Sequence, residues 1–147
     1  AKYWAVSKLK GTSGMTIIPG VLELQYLENR GMAFGMLQGR QMLFLVLCIV
    51  FCAVMLWLFF RIPKTGYYIP LILVGGILTG GAAGNFIDRA FRGYVVDFIY
   101  FSLINFPVFN VADIYVTTAA FLLVILILFF YQEEDFDRVF SKKREQE

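Results

Sequence analysis

The sequence contains no histidine. That absence excludes a Ser-His-Asp triad, a Cys-His pair and a His-based zinc site. Hydrolytic chemistry, if present, must rest on carboxylates or on a Ser-Lys arrangement. Cysteine is nearly as scarce, with Cys48 and Cys52 four apart in an apolar run. On a helix they share a face, where a disulfide has poor backbone spacing and a metal would lack further ligands. Small apolar packing or lipid-facing positions account for both. Charged residues make up 16% of the chain, and the formal net charge is +2. With so little charge and no basic stripe interleaved with aromatics, no nucleic-acid partner is expected. No secretory signal pattern opens the chain, which begins at Ala1 rather than Met and so reads as processed or truncated.

What fills the place of charge is apolar surface. Hydrophobic residues account for 59% of 147 residues, with a mean hydropathy of +0.70. Soluble domains run at about 45–50%. A core of this size cannot hide the excess, so lipid must solvate part of the surface. The expectation is a mainly α, polytopic membrane protein forming one integral-membrane domain over residues 1–147.

Three spans are expected. Residues 42–60 are uncharged over nineteen positions, which reaches about 28 Å as a helix, close to the hydrocarbon thickness. The second span covers 67–85 and the third 114–131. Gly76, Gly80 and Gly84 form a smooth stripe on the second, where another helix can approach closely. Residues 1–9 are short and amphipathic and read as the end of a helix begun upstream. Around Pro19-Gly20, Met15–Ile18 and the alternating run to Leu27 predict a small β-element at the membrane surface, broken by Glu28–Gly31. Met32–Leu37 then leads to the first span. The polar tail, 132–147, predicts a solvated helix or disorder, with no catalytic role.

Every Asp outside that tail, namely Asp88, Asp97 and Asp113, falls within residues 84–113. Acids at membrane boundaries are costly and mark functional sites. Asn85, Asp88 and Arg89 share one face at helical spacing. Asp88 and Arg89 could be a structural ion pair, while Asn85 and Arg89 are candidate donors to a peptide carbonyl. Asp97 lies among apolar neighbours, which disfavour its charged form. Asp113 opens the last span, where a helix dipole alone would explain an acid. If Asp97 and Asp113 face each other, they can share one proton and activate water, with no metal or cofactor required.

Two other readings fit parts of this pattern. A small transporter or ion-binding protein could use Asp97, Asp113 and Arg89 along a polar path, but no internal repeat is visible and the acids sit at span ends. A scaffold packing through the glycine stripe would leave the aspartates unexplained. Lys and Arg divide into seven on the side of residues 1–41 and 84–113 and six on the other. The positive-inside rule decides little at that ratio, although the Arg61/Lys64 loop and the basic tail read as cytoplasmic.

Three ordered boxes carry a family resemblance: Asn29-Arg-Gly-Met-Ala-Phe-Gly35, Gly84-Asn-Phe-Ile-Asp-Arg89 with Gly93-Tyr-Val-Val-Asp97-Phe98, and Phe109-Asn-Val-Ala-Asp113. They resemble the boxes of the lipoprotein signal peptidases, signal peptidase II. The resemblance implies a multi-pass aspartic endopeptidase of the bacterial inner membrane, with its active site towards the outer face. Its substrate would be a prolipoprotein, cut just before a diacylglyceryl-modified cysteine. It also implies membrane lipid as a partner, a monomer, and a β-cradle on the outer leaflet. Catalysis would fall to Asp97 and Asp113. Asn29, Asn85, Arg89 and Asn110 would bind substrate, and Asp88 and Lys2 would support the site. The family has four spans. Lys2 resembles the lysine closing the first span's D-Q-x-x-K box, so that span would precede Ala1 or be left out.

Overall fold

The computed structural model describes residues 1–31 and 41–140. Residues 32–35 of the first box, the lead into the first span and the basic end of the tail lie outside the described residues. The elements in order are α1 (Lys2–Leu9), β1 (Met15–Ile18), β2 (Leu22–Asn29), α2 (Gln41–Arg61), α3 (Ile69–Arg92), β3 (Val95–Phe101), α4 (Val111–Phe129) and α5 (Glu133–Phe140).

Among the described residues, three helices are long and apolar enough to cross a membrane: Met42–Arg61, Gly66–Arg92 and Val111–Phe129. Most of their large apolar side chains face outward, as in Val46, Leu56, Leu73 and Phe121. That is the inverse of a soluble core, and lipid is the solvent that satisfies it. α3 starts with a proline in its first turn and ends where Gly93 adopts a left-handed φ of 80°. The Gly93 N–H closes the helix on Arg89 O at 3.1 Å. Its 24 residues reach about 36 Å, more than the roughly 30 Å of hydrocarbon. The second span thus runs beyond the expected Asn85 to Arg92, and its last two turns carry Asn85, Asp88 and Arg89 out at the level of the sheet.

The β-element is larger than the sequence reading. Three antiparallel strands pair in the order β1-β2-β3. β2 continues through Glu28 and Asn29, where a break was expected. β3 was not anticipated. Its run Val-Val-Asp-Phe-Ile-Tyr-Phe is rich in β-branched and aromatic residues, which suit a pleated surface. α1 lies across this sheet, burying Ala5 and Leu9 against Val96 and Phe98.

A second cluster closes the opposite end, with Ile62, Tyr68, Tyr131 and Val139 buried together. It includes part of the tail. Residues 133–140, expected as a solvated helix or as disorder, form the helix α5, but with Asp135 and Val139 buried. Arg61 Nε donates to Val139 O at 3.0 Å and a second guanidinium nitrogen donates to Phe140 O at 2.6 Å. These bonds satisfy carbonyls that the helix end leaves open.

The glycine stripe also packs differently from its reading. A Cβ on Gly76 or Gly80 would meet nothing within 4 Å, whereas one on Gly81 would stand 2.7 Å from Ala112 O and 2.8 Å from Val116 Cγ2. The face that α3 turns to α4 is therefore that of Gly81 and Gly84, rotated away from Gly76 and Gly80.

Candidate active site

The close approach at Gly81 sets the site. It brings the start of α4 against α3, so that Asn85, one turn beyond Gly81, stands beside Asp113. Asn85 Nδ2 donates to Asp113 Oδ1 at 2.8 Å. Asp113 occupies the third position of α4 in a capping box. Its Oδ2 accepts the Asn110 N–H at 2.9 Å, and the Asn110 side chain accepts from Ala112 N and Asp113 N at 2.7 and 3.3 Å. The helix-start explanation of Asp113 therefore holds locally, and it leaves the same carboxylate on a cavity wall.

β3 brings the other carboxylate. Opposite it, Phe109 bridges to Ile99, with Ile99 N donating to Phe109 O at 2.8 Å and Phe109 N donating to Ile99 O at 3.0 Å. This small ladder sets Asn110 next to Asp97. Asn110 Nδ2 donates to Asp97 Oδ1 at 2.6 Å and to Asn85 Oδ1 at 3.2 Å. From the end of β2, Asn29 Nδ2 donates to Asp97 Oδ2 at 2.8 Å. Each carboxylate thus receives an N–H on each oxygen.

Asp97 is 2% exposed. Burial pushes its carboxyl above the ordinary range; the hydrogen bonds from Asn110 and Asn29 pull it down, and the nearby Asp113 charge adds to the rise.

Asp97 and Asp113 line one cavity of about 910 Å³, together with Asn29, Asn85 and Arg89. Much of its remaining wall is apolar, including Phe101, Phe106, Phe109 and Ile114. Asn110 stands behind this wall and is wholly buried. Its two N–H groups and both oxygen lone pairs are taken up inside the protein. Arg89 donates to Gly31 O at 3.1 Å, and its guanidinium carbon lies 5.1 Å from the centre of the Phe44 ring. Among the described residues, no three His, Cys, Asp or Glu side chains converge as a metal site requires.

Residues 1–129 match the family described as Signal peptidase (SPase) II. The chain belongs to the signal peptidase II family. A lipoprotein signal peptidase of Streptococcus thermophilus (strain CNRZ 1066) is 37% identical over 116 residues, which cover 79% of this chain and 74% of the relative. One from Streptococcus agalactiae serotype III (strain NEM316) is 42% identical over 118 residues, 80% of this chain and 75% of the relative. Among solved structures, a bacterial membrane enzyme determined at 2.3 Å by the in meso method superposes with a TM-score of 0.78 at 30% identity, covering 99% of this chain and 85% of that one. With its three spanning helices, the chain is a multi-pass membrane protein of a bacterial peptidase family.

Membership does not by itself explain the wiring of the site, and there the sequence reading needs correction. An ion pair of Asp88 with Arg89 was one of the open readings. Asp88 pairs instead with Lys2 at 2.9 Å and Arg92 at 3.6 Å, because one helical turn carries Arg92 back over it. Asp88 Oδ2 also accepts the Val96 N–H at 3.0 Å, anchoring the start of β3. The apolar wall of residues 106–109 was not singled out. Its signal was present in Phe106-Pro107-Val108-Phe109, an aromatic-flanked segment that runs into the third box.

Proposed function

We propose that this chain removes signal peptides from diacylglyceryl-modified prolipoproteins, using Asp97 and Asp113 as an aspartic dyad. The observation that carries the reading is that both carboxylates line one largely apolar cavity and are coupled through the buried Asn110. The family and the relatives' name, lipoprotein signal peptidase, support the substrate class. An apolar wall also suits lipid chains and a hydrophobic signal segment.

In this mechanism the pair holds one proton. Burial favours its residence on Asp97, where the charged form is disfavoured. Asp113, ionised, takes a proton from water, and the water oxygen attacks the scissile carbonyl carbon. The carbonyl π electrons move to oxygen, giving a tetrahedral intermediate. Collapse restores the carbonyl and breaks the C–N bond as a carboxyl proton passes to the leaving amine. That amine is the new N-terminus of the lipid-bearing cysteine. Asn29, Asn85 and Arg89 reach the cavity and are the candidate donors to substrate carbonyls. Asn110, filled by internal bonds, serves by holding both acids in place and not by touching substrate.

The site end of the molecule faces outward in this reading, across the bacterial inner membrane. The opposite end carries Arg61, Lys64 and Arg138 with a cluster of Tyr67, Tyr68 and Tyr131. Cations and amphipathic rings at that level suit a cytoplasmic interface. The chain is expected to act as a monomer, since the cavity is built from its own residues.

The test is cleavage of a diacylglyceryl-modified prolipoprotein peptide beside its unlipidated twin, in lipid-containing detergent. Cleavage restricted to the lipidated peptide, and reduced by at least roughly 10²–10⁴-fold in Asp97→Asn and in Asp113→Asn, is the expected result. Turnover retained by either variant would overturn the dyad.

A further inference from the structure

The N-terminal helix reaches the carboxylates through the Asn85 amide. Lys2 Nζ donates to Asn85 Oδ1 at 2.7 Å and to Gly84 O at 3.2 Å, and it pairs with Asp88 Oδ2 at 2.9 Å. An ammonium has three N–H groups and no acceptor, so these contacts use its full capacity. It can face the Asn85 amide only at oxygen. The two ends of an amide differ little in shape, and its partners decide which way it points. Here the ammonium decides. With Oδ1 held by Lys2, the Asn85 Nδ2 is left to donate to Asp113 Oδ1 at 2.8 Å. Reversal would turn the amide oxygen on the Asp113 carboxylate and its NH2 on the ammonium. Asn110 Nδ2 also donates to Asn85 Oδ1, but at 3.2 Å and without a charge. The short, charge-assisted bond from Lys2 is the stronger constraint.

We propose that Lys2 is a positioning residue of the dyad: by fixing the polarity of the Asn85 amide it keeps an N–H on Asp113 and holds that carboxylate towards the cavity. This rests on the peptidase reading above for its consequence in catalysis, though not for its geometry. The contrasting role for Lys2 is a tie between α1 and α3 through Asp88. A tie of that kind would need no bond to Asn85. The charged groups surrounding the network are Asp88, Arg89 and Arg92 on α3 and Asp97 on β3.

Lys2→Met, Lys2→Arg and Asp88→Asn separate the two roles. Kinetics are measured with the lipidated peptide. In Lys2→Met, kcat falls on the order of 10²-fold while KM changes less, because Lys2 acts on Asp113 through Asn85 and does not itself line the cavity. Lys2→Arg recovers part of the loss, since a guanidinium is also a pure donor. Asp88→Asn breaks the ion pair but leaves the bond to Asn85, so its kcat falls less than that of Lys2→Met. Equal losses in Lys2→Met and Asp88→Asn, with no recovery by arginine, would overturn the positioning role in favour of the tie. Should Lys2→Met fail to fold, Lys2→Gln keeps a neutral donor and its kcat should fall between those of Lys2→Met and the unaltered protein.

A second readout does not depend on turnover. The side-chain amide of Asn85 is followed by NMR in asparagine-labelled protein, assigned by its disappearance in Asn85→Ala. Its N–H exchanges slowly in the unaltered protein and in Lys2→Arg, and faster in Lys2→Met. Exchange unchanged by Lys2→Met would overturn the proposal. The expected exchange pattern in a protein that cleaves nothing would instead sink the peptidase reading alone.

Discussion

Asn110 Nδ2 lies 2.6 Å from Asp97 Oδ1, while the backbone N–H of the same Asn110 lies 2.9 Å from Asp113 Oδ2. One residue therefore grips both acids, one through its side chain and the other through its main chain. The grip is rigid because Asn110 is also the cap of α4, where its Oδ1 is committed to Ala112 N and Asp113 N. The start of a membrane helix thereby becomes part of the site's geometry. Asp113 cannot turn without disturbing the cap, and Asp97 cannot turn without leaving a buried amide unpaired.

Replacing Asn110 tests that coupling. Asn110→Ala removes a helix cap, worth about 0.5–2 kcal/mol, and leaves buried polar partners unpaired at about 1–3 kcal/mol. A loss of roughly 1.5–5 kcal/mol follows from those two terms, read by thermal or denaturant unfolding in detergent. Cleavage should fall by at least roughly 10²-fold in the fraction that remains folded. Asn110→Asp keeps the cap acceptor but sets a third carboxylate against Asp97. It should retain more stability than Asn110→Ala and no more activity. An active Asn110→Asp would show that the amide donor to Asp97 is dispensable.

The environment of Asp97 makes a prediction about pH. Burial raises its carboxyl, and the bond from Asn29 lowers it. Between the ordinary Asp value of about 3.9 and the raised value, the folded chain holds a proton that the unfolded chain lacks. Stability from this group therefore falls as pH rises through that window. In the proposed mechanism, the shared proton then persists to higher pH than two ordinary carboxyls would allow. Asn29→Ala removes a bond that favours the ionised form, so the alkaline limb of kcat/KM should move to higher pH. A shift to lower pH would mean that Asn29 does not act on Asp97.

Gly81 and Gly76 should respond in opposite ways to the same substitution. A methyl on Gly81 would sit 2.7 Å from Ala112 O, a backbone atom at the start of α4, while one on Gly76 meets open space. Gly81→Ala must push α4 away, at about 1–3 kcal/mol, and it carries Asp113 with it. Both melting temperature and cleavage should drop. Gly76→Ala should be neutral or stabilise by about 0.4–1 kcal/mol through the unfolded chain. Equal effects would argue against Gly81 as the point where α3 and α4 touch.

Much of this site could be read from residue order alone, for physical reasons. The spans were visible because lipid demands long apolar runs, and Asp97 and Asp113 stood out because acids are rare near them. What stayed hidden depended on partners far apart in the chain. Val95–Phe101 has a strand's composition, but its partner strand β2 lies some seventy residues earlier, at Leu22–Asn29. Gly76, Gly80 and Gly84 repeat regularly, yet the helix face that meets α4 is chosen by the position of Ala112, which periodicity does not encode. Asp88 finds Lys2 eighty-six positions away, and no local pattern announces that pairing. The direction of the Asn85 amide needs three-dimensional donors to be fixed at all.

The docking of α5 makes a last prediction, at the end of the molecule remote from the dyad. Asp135 accepts Tyr67 Oη at 2.8 Å and Gln132 N at 3.0 Å. The Gln132 N–H, and after it the Tyr67 hydroxyl, hold its carboxyl below the ordinary range. A lowered acid stabilises the fold above its unfolded value and loses that contribution as pH falls through the folded one. α5 should therefore loosen in acid, below about pH 4, ahead of the membrane helices. Trp57 reports the event, since its ring lies 6.0 Å from that of Phe140 on α5. In a Trp4→Phe background, Trp57 emission should change at that pH, and Asp135→Ala should show the loosened emission already at neutral pH. Proteolysis within residues 132–140 should quicken in the same variant. Cleavage of the lipidated peptide should change little, because no α5 residue reaches the dyad cavity. A large loss of cleavage in Asp135→Ala would instead mean that the two ends of the helical bundle are coupled, with α3, which begins directly after Tyr68 and carries Asn85 near its end, as the connecting rod.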